Sequence, residues 1–433
     1  MIIIAGSIKL LVKKRKLGRG VVMVGAGMSK FGIRPEKNTR ELFVEAFEDM
    51  KHSIDKGFDI KDVEALYLGC AGSEIWEAQG SPAIMCANWI GLTPKPAVRI
   101  EAACASSQVA FREGIIAIAS GLYNAVLVGG TEKMNTVSTD VITTTLAGAS
   151  DASYEATAGF SFPGFYASMA LAHMHKYGTT SEDLMRVAIK NHENGALNPK
   201  AQMGFTIKTI MQTQKERRKK RGLPEPTWTN EMDFLHDPTA NPVIAWPNRL
   251  YDCCLVSDGA ACILLVAEDL AKEYTEKPIY IIGTGHATGE SLNCRNTLTS
   301  IPAAKEAAAQ AYSMANVTAA DIKTAEVHDC FTIAEVMAIA DLGFFSEGKE
   351  AAKAAGDGKT TRDGSKPINP SGGLKSKGHP IGASGAAMAV EIFHQMRNEA
   401  GPRQVANGNV DLALTHNVGT HGTTCVVNIY ERR

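Results

Sequence analysis

The chain has 433 residues, of which 45% are hydrophobic and 21% are charged, and this length favours two domain-sized units in a globular protein. Its 45 basic and 46 acidic side chains nearly cancel, which argues against a nucleic-acid partner. The nine cysteines are scattered and form no CxxC pair. We therefore expect neither a disulfide framework nor a bound metal in this chain, and a reducing cytoplasm suits its cysteines best.

The first twenty residues are predicted to form an N-terminal extension, either a tail or a short extra strand. Their apolar start precedes a basic cluster at residues 13–19, which reverses the order found in a secretory signal. No apolar stretch has the length needed to span a bilayer. We therefore expect a cytoplasmic protein that is not embedded in a membrane.

Two segments of the chain repeat one another. Residues 21–27 form an apolar run that ends in glycines, and residues 278–285 show the same pattern. A second pair of similar segments, residues 59–64 and residues 321–326, is separated by nearly the same number of residues as the first pair. Such repetition predicts two copies of one αβ unit.

Each predicted half alternates short β-rich runs with longer helical patterns, which indicates an α/β fold with a mostly parallel sheet covered by helices. The N-terminal half is expected over residues 21–277 and the C-terminal half over residues 278–433. A long excursion over residues 136–248 interrupts the first half. Its predicted helices, at residues 167–177 and 181–194, would form a cap over the active site.

The stretch around Cys104 has the clearest chemical character. A short β-type segment at residues 98–100 leads into small residues and then into a helical pattern, so this cysteine is predicted where a strand becomes a helix. Free N–H groups and the positive end of the helix dipole stabilise a thiolate at such a position, and a thiolate attacks carbonyls. From this stretch alone, a nucleophile and a buried structural cysteine are both open.

Three clusters later in the chain carry further histidines and a cysteine. Each follows a predicted strand or lies in a glycine-rich loop, where open α/β sheets present ligand-binding groups. A lone histidine is usually structural, but three such clusters together indicate a site. The clusters are residues 328–331 (HDCF), 372–385 (GGLKSKGHPIGASG) and 416–422 (HNVGTHG).

In the order and spacing of these motifs the sequence resembles the thiolase superfamily. The HDCF tetrad is similar to that of sterol-carrier-protein-2-type and archaeal thiolases. The resemblance implies a thiolase fold of two duplicated halves in five αβαβα layers, with an inserted loop domain. The motifs that carry it are the Cys104 stretch, residues 129–134 (GGTEKM), residues 250–261 (LYDCCLVSDGAA), the HDCF tetrad and residues 378–380 (GHP).

The resemblance also implies catalytic roles. Cys104 would carry the acyl group, and His379 would accept its proton and help to stabilise charge on a thioester oxygen. His328 would position a water or donate directly at that oxyanion hole. A second oxyanion hole would use the backbone N–H groups of Cys104 and of Gly419.

The proton shuttle for the enolate is assigned to Cys330, because in the HDCF branch the tetrad's own cysteine takes this role. A thiol suits the task, since its ordinary pKa of about 8.5 needs little tuning. The alternative is His416, which stands where the better-known thiolases have a catalytic cysteine. His421 is most simply structural.

The expected reaction is cleavage of a 3-oxoacyl-CoA by coenzyme A, or the reverse Claisen condensation, with coenzyme A as co-substrate and no bound cofactor or metal. The substrate is acetoacetyl-CoA or a bulkier or aromatic 3-oxoacyl-CoA such as benzoylsuccinyl-CoA. One alternative is a decarboxylating or HMG-CoA-synthase-like condensing enzyme, against which Cys330 argues. Another is a non-catalytic acyl-CoA-binding subunit, against which the retained set of Cys104, His328, Cys330 and His379 argues.

The densest charge run includes Arg217, Arg218, Lys219 and Lys220. It is either a solvated helix end or a site for the phosphates of coenzyme A. The resemblance further implies a homodimer or tetramer. It also implies, in some members of this branch, a small separate partner with an OB fold and a zinc ribbon, for which the excursion could serve as the interface.

Overall fold

The computed structural model describes residues 16–406 and 409–433, so most of the predicted N-terminal extension lies outside the described residues. From its described end, Arg19 forms an ion pair with Asp269 at 2.8 Å. The strands are β1 (Val21–Met28), β2 (Ala65–Gly69), β3 (Ala97–Ile100), β4 (Ala125–Lys133), β5 (Val243–Ala245), β6 (Asn248–Arg249), β7 (Asp258–Ala267), β8 (Ile279–Thr288), β9 (Thr324–Val327), β10 (Leu412–Gly419) and β11 (Thr424–Glu431).

The α-helices cover both faces of the sheet and fill the long excursion. They are α1 (Thr39–His52), α2 (Ser73–Trp76), α3 (Pro82–Trp89), α4 (Ser106–Ala119), α5 (Thr139–Ala147), α6 (Phe162–Tyr177), α7 (Ser181–Gly195), α8 (Ile207–Lys220), α9 (Glu231–His236), α10 (Ala271–Tyr274), α11 (Pro302–Ala315), α12 (Thr332–Asp341), α13 (Lys349–Lys353), α14 (Gly373–Ser376) and α15 (Ser384–Arg397). Among the described residues, none of these helices is both long and apolar enough to cross a bilayer.

Nine of the strands form one sheet in the order β3-β2-β4-β7-β1-β8-β11-β10-β9. The order on either side of the β1–β8 contact is the same, because β8, β9, β10 and β11 occupy the places of β1, β2, β4 and β7. The place of β3 in the second set is taken by residues near Ile368, which bridges Ala325 in parallel. This matching order agrees with the predicted duplication, while the exact division at residues 277 and 278 stays a prediction.

The direction of the strands is also the same in the two sets. In each, one strand runs against the others: β7 is antiparallel to both β1 and β4, and β11 is antiparallel to both β8 and β10. The remaining strands of each set point the same way, as β2 with β4 and β9 with β10 show. The first set meets the second through antiparallel pairing of Val22 with Tyr280 and Met23 with Ile279.

Five layers follow from which apolar side chains share a core. Phe111 of α4 and Phe393 of α15 pack in one buried cluster with Met23 of β1 and Tyr430 of β11, so these two helices lie between the two parts of the sheet. Helices α1 and α3 cover the outer face of the first part, and α11 and α12 cover that of the second. The predicted αβαβα order is confirmed.

The region predicted as an excursion, residues 136–248, contains five helices, α5 to α9, and the β5–β6 hairpin begins within it. The predicted helix at residues 167–177 begins five residues earlier, at Phe162, and the one at residues 181–194 ends one residue later. Residues of α5 and α6 border the cavity at Cys104, and the role of the whole region as a cap stays a prediction.

Candidate active site

Cys104 lies between strand β3 and helix α4, as predicted. A short 3-10 turn over Ala103–Ala105 joins them, and Ala103 takes a left-handed conformation with φ of 48°. The Ser106 hydroxyl fixes this turn, because its oxygen accepts from the Ala102 N–H at 2.9 Å and its proton goes to the Ala103 carbonyl at 2.6 Å. Cys104 is therefore held in one orientation, with 4% of its surface exposed.

The helix-start position favours a thiolate at Cys104, but the burial of this residue opposes it. Burial raises the pKa of the Cys104 thiol to about 12, and the nearby carboxylate of Glu132 acts in the same direction. The backbone N–H groups of Thr420 and of Cys104 itself lower the pKa but do not outweigh burial. Cys104 is therefore a thiol at rest, and a base would have to take its proton before the sulfur could act as a nucleophile.

His379 is placed and oriented to be that base. Its backbone N–H donates to Ser257 Oγ at 2.8 Å, and its Nδ1 lies 2.7 Å from Ser384 Oγ. Because the Ser384 hydroxyl donates to the Pro380 carbonyl at 2.9 Å, its oxygen accepts the Nδ1 proton. Nε2 is then left with a free lone pair, and it has no hydrogen-bond partner among the described residues.

His328 holds the opposite tautomer. The side-chain amide Nδ2 of Asn417 lies 2.9 Å from its Nδ1, and with this nitrogen as the donor the ring proton is on Nε2. That N–H is buried and lacks a partner in the described part of the chain. Burial lowers the pKa of His379 to about 3 and holds that of His328 well below its usual value, so one imidazole offers a lone pair and the other a neutral N–H donor.

These three groups converge, as the sequence analysis expected. The Cys104 sulfur and one ring nitrogen each of His328 and His379 lie within 4.8 Å of one another, and the two rings meet edge to face with centroids 5.3 Å apart. A thiolate and two imidazoles could also ligate a soft divalent cation. Such ligation would use the same sulfur and nitrogen atoms that acyl transfer requires.

Asp329 sets the position of His328 and Cys330, its two neighbours in sequence, against the His379 loop. Its carboxylate accepts from the Leu374 N–H at 2.6 Å and from Asn191 Nδ2 at 2.7 Å. Burial raises the pKa of this carboxyl to about 7. The tetrad is thereby tied to α14, the short helix that leads into the histidine loop.

Cys330 lines the same cavity as Cys104. This cavity has a volume of about 150 Å³ and is bordered by both cysteines, by His379, and by Cys253 and Cys254. Burial raises the pKa of Cys330 well above its usual value, so it is a thiol at neutral pH. His416 is not among the residues that border the cavity, and its Nδ1 instead accepts from the His328 backbone N–H at 3.4 Å.

The predicted second oxyanion hole contains a residue that the sequence analysis did not name. The backbone N–H that reaches the Cys104 sulfur from the C-terminal cluster is that of Thr420, which takes a left-handed φ of 53°. Gly419 precedes it and has a packing role, since a Cβ there would lie 2.5 Å from the Ala102 carbonyl oxygen. The assignment of Gly419 as the N–H donor stays a prediction. The one signal in the sequence that could have indicated Thr420 is its position directly after Gly419.

Glu132 is a second residue whose importance the sequence analysis did not find, although it lies in the GGTEKM motif. Its buried carboxylate accepts from the N–H groups of Ala71, Gly72 and Gly382 at 2.8 to 3.0 Å and from the Trp76 indole at 2.8 Å. It therefore joins the loop after β2 to the loop after His379. Without these four donors, the buried carboxylate would destabilise the folded protein by about 3 to 5 kcal/mol.

The basic run predicted for the coenzyme A phosphates lies at the end of α8. Arg217, Lys219 and Lys220 are exposed and Arg218 is half-buried, and none of the four borders the cavity at Cys104. Basic side chains in a last helical turn also complement the helix dipole, which gives this run a structural explanation. Its role in phosphate binding stays a prediction.

Alkylation of Cys104 should show the raised pKa of its thiol directly. In the free protein, the rate with iodoacetamide is expected to rise about tenfold for each pH unit between pH 7 and 10, because only the thiolate reacts. The rate is measured by mass spectrometry of the peptide that contains Cys104, with the Cys294 peptide as the exposed control. A rate that is constant between pH 6 and 9 would show a thiolate–imidazolium pair and contradict this arrangement.

Cys104, Cys330 and His379 border one cavity, and a ring nitrogen of His328 lies within 4.8 Å of the Cys104 sulfur and a His379 nitrogen. This set of groups is suited to an enzyme that transfers acyl groups through a thioester. The comparisons agree. The model of the thiolase N-terminal domain matches residues 21–269, and that of the thiolase C-terminal domain-like family matches residues 284–432. The chain belongs to the thiolase family and is an acyltransferase.

Among its curated relatives is the acetyl-CoA acetyltransferase of Methanothermobacter thermautotrophicus, 40% identical over 96% of this chain and 100% of that protein. Human sterol carrier protein 2 is 30% identical over 95% of this chain and 72% of that protein. The benzoylsuccinyl-CoA thiolase subunit BbsB of Thauera aromatica is 29% identical over 93% of this chain and 96% of that protein.

Two solved structures share the fold. One is the Ltp2-ChsH2(DUF35) aldolase, with a TM-score of 0.75 and 22% identity over 95% of this chain and 98% of that chain. The other is human mitochondrial 3-ketoacyl-CoA thiolase in complex with CoA, with a TM-score of 0.63 and 18% identity over 96% of this chain and 99% of that chain. Both confirm the thiolase fold.

Proposed function

We propose that this acyltransferase cleaves a 3-oxoacyl-CoA with coenzyme A, and runs the reverse condensation, through an acyl group on Cys104. The observation that carries the proposal is the convergence of the Cys104 sulfur with the His328 and His379 ring nitrogens within 4.8 Å, beside a cavity that Cys330 also borders. The two histidines hold opposite tautomers, which suits a reaction that needs a proton acceptor and an oxyanion donor at once.

In the first half-reaction, the Cys104 sulfur bonds to the 3-oxo carbon while its proton passes to His379 Nε2. The bond between carbons 2 and 3 then breaks, and its electron pair remains on acetyl-CoA as an enolate. The N–H of His328 donates to the thioester oxygen of that enolate. Cys330 supplies the proton to carbon 2, because its raised pKa keeps it a thiol, and acetyl-CoA leaves.

In the second half-reaction, the thiol of coenzyme A attacks the acyl group on Cys104. Its proton restores the thiol of Cys330, and the proton on His379 returns to the Cys104 sulfur as the new thioester departs. Backbone N–H groups at Cys104 and at Thr420 or Gly419 stabilise the oxyanion, each donor contributing about 3 kcal/mol to the lowering of the barrier. Every group thus returns to its starting state.

The direct test uses acetoacetyl-CoA and coenzyme A with the purified protein. Two molecules of acetyl-CoA are expected for each acetoacetyl-CoA consumed, followed by chromatography and by loss of the 3-oxo absorbance. Trapping with acetoacetyl-CoA alone should leave an acetyl group on the peptide that contains Cys104. A protein that consumes neither this nor any other 3-oxoacyl-CoA would contradict the proposal.

The same assay separates the two candidates for the proton shuttle. Cys330→Ala is expected to lower kcat by about 100-fold to 10,000-fold, the usual range for a lost acid–base group, while His416→Gln lowers it less than tenfold. The reason is that Cys330 borders the cavity, whereas His416 contacts the backbone of His328. The reverse order of effects would assign the shuttle to the C-terminal cluster.

Partners belong to the same proposal. Two similar proteins are named as parts of assemblies, one as an aldolase with ChsH2(DUF35) and one as a thiolase subunit. These names support a separate small partner for this chain. A homo-oligomer is proposed as well, with β3 as a candidate contact because it is an edge strand of the sheet and its Val98 is 48% exposed. Arg217 to Lys220 remain the proposed contacts for the coenzyme A phosphates.

A further inference from the structure

The cavity beside Cys104 has a wall that the catalytic mechanism does not use. Helix α5 supplies it through one face, with Thr139, Ile142, Thr143 and Leu146 at the i, i+3, i+4, i+7 spacing of a single helical stripe. Ile142 is buried, Leu146 is half-buried, and the two threonines are exposed at the mouth. The helix thus separates the reactive sulfur from solvent with two aliphatic side chains.

The rest of the lining is apolar as well. Phe162 and Pro163, at the start of α6, border the cavity, as do Phe331 and Ile381 on the side of the catalytic loops. Apart from the thiols, His379 and the two threonines at the mouth, the described residues that border it have apolar side chains, and none carries a charge. A carboxylate placed here would lose its water and gain no partner of opposite charge.

The size of the cavity sets a second limit. Its volume is about 150 Å³, and an apolar protein cavity of about 150 Å³ is known to take a benzene molecule. An aryl ring or an alkyl chain of about six carbons is therefore the largest group that it accepts without movement of α5.

We propose that this cavity is the acyl pocket, that it accepts uncharged acyl groups from acetyl up to about the size of benzoyl, and that Ile142 and Leu146 set its upper limit. This inference rests on the proposed thiolase function. In the first half-reaction the acyl group on Cys104 must occupy the space next to the sulfur, which is this cavity. The group that leaves as acetyl-CoA is on the other side of the breaking bond. The size and charge of this cavity therefore do not determine which leaving group the enzyme accepts.

A matched pair of substrates tests the exclusion of charge. 3-Oxohexanoyl-CoA and 3-oxoadipyl-CoA have the same number of acyl carbons, but the second ends in a carboxylate that two methylene groups hold inside the cavity. We expect kcat/KM for 3-oxoadipyl-CoA to be at least about 100-fold lower. Values within threefold of each other would overturn the inference, whereas failure to cleave acetoacetyl-CoA as well would overturn the thiolase function itself.

Variants of α5 test the residues. Ile142→Phe should lower the ratio of kcat/KM for benzoylacetyl-CoA to kcat/KM for acetoacetyl-CoA at least tenfold, because the added volume excludes the larger group more than the smaller one. Leu146→Arg should raise the ratio of 3-oxoadipyl-CoA to 3-oxohexanoyl-CoA at least tenfold by supplying a cation at a half-buried position. The control is Val141→Phe, on the same helix but 41% exposed and outside the cavity lining, which should change neither ratio. Unchanged ratios in both cavity variants would place the acyl pocket elsewhere.

Discussion

Replacing Cys104 by alanine is expected to lower kcat for thiolysis of acetoacetyl-CoA at least about 10,000-fold, as removal of a covalent nucleophile does in other enzymes. The sulfur forms the only covalent bond to the acyl group in the proposed mechanism. Other thiols border the cavity, but among the described residues it is the Cys104 sulfur that groups within 4.8 Å of both the His328 and the His379 ring nitrogens. The measurement is the rate of acetyl-CoA formation at saturating substrates, with circular dichroism to verify the fold.

The matched control is Cys294→Ala, because this cysteine is exposed and does not border the cavity. Its kcat should stay within twofold of the wild-type value. A Cys104→Ala protein that keeps more than 1% of the wild-type rate would disprove the assignment of the nucleophile, and a loss in both variants would point to damage of the fold.

Replacing His379 by glutamine is expected to have the second-largest effect, a loss of about 1,000-fold to 10,000-fold in kcat, at the upper end for a lost general base. The loss should be this large because the Cys104 thiol has a pKa of about 12, so little thiolate forms without a base near neutral pH. The acylation half-reaction, measured by single-turnover trapping of the acyl group on Cys104, should slow by the same factor.

Ser384→Ala provides the informative comparison for His379. It keeps the imidazole but removes the oxygen that accepts the Nδ1 proton at 2.7 Å, so the fraction of the productive tautomer falls. We expect kcat to fall about tenfold. This factor corresponds to the loss of one hydrogen bond, which contributes about 1 to 2 kcal/mol. If His379→Gln acylates Cys104 at more than one-tenth of the wild-type rate, another group takes the proton.

The fold could be predicted from the sequence because the buried strands are nearly continuous apolar runs. Strands β1 and β8 follow the repeated apolar runs that suggested duplication. Strands β4 and β10 differ in that they continue beyond their apolar runs through polar residues such as Glu132 and His416. Those residues are in strands because their neighbours pair across the sheet, which no local pattern reveals.

The candidate site could be predicted only as a set of residues. Cys104, His328, Cys330 and His379 were found because each lies in a motif of characteristic composition. The state of the thiol could not be found this way: the helix-start position predicted a thiolate, but burial and Glu132 raise the pKa of Cys104. Similarly, Thr420 acts through its backbone N–H, for which the side-chain identity carries no signal.

The two tautomers also lie beyond sequence reasoning, because each depends on a partner distant in the chain. Asn417 is 89 residues from His328. The Ser384 hydroxyl donates its proton to the carbonyl of Pro380, so its oxygen is left to accept from His379. Only the fold brings these groups to the rings. The sequence alone therefore assigned the roles of both histidines from resemblance, while the structure gives a physical reason for them.

The matching strand order has a functional consequence. The nucleophile and Glu132 come from the first copy of the repeated unit, whereas both catalytic imidazoles and the second thiol come from the other copy. One unit by itself holds only part of the candidate site, so the site exists only when the two copies pack against each other. A change that loosens the contact between the copies should therefore weaken acyl transfer without touching any residue of the site.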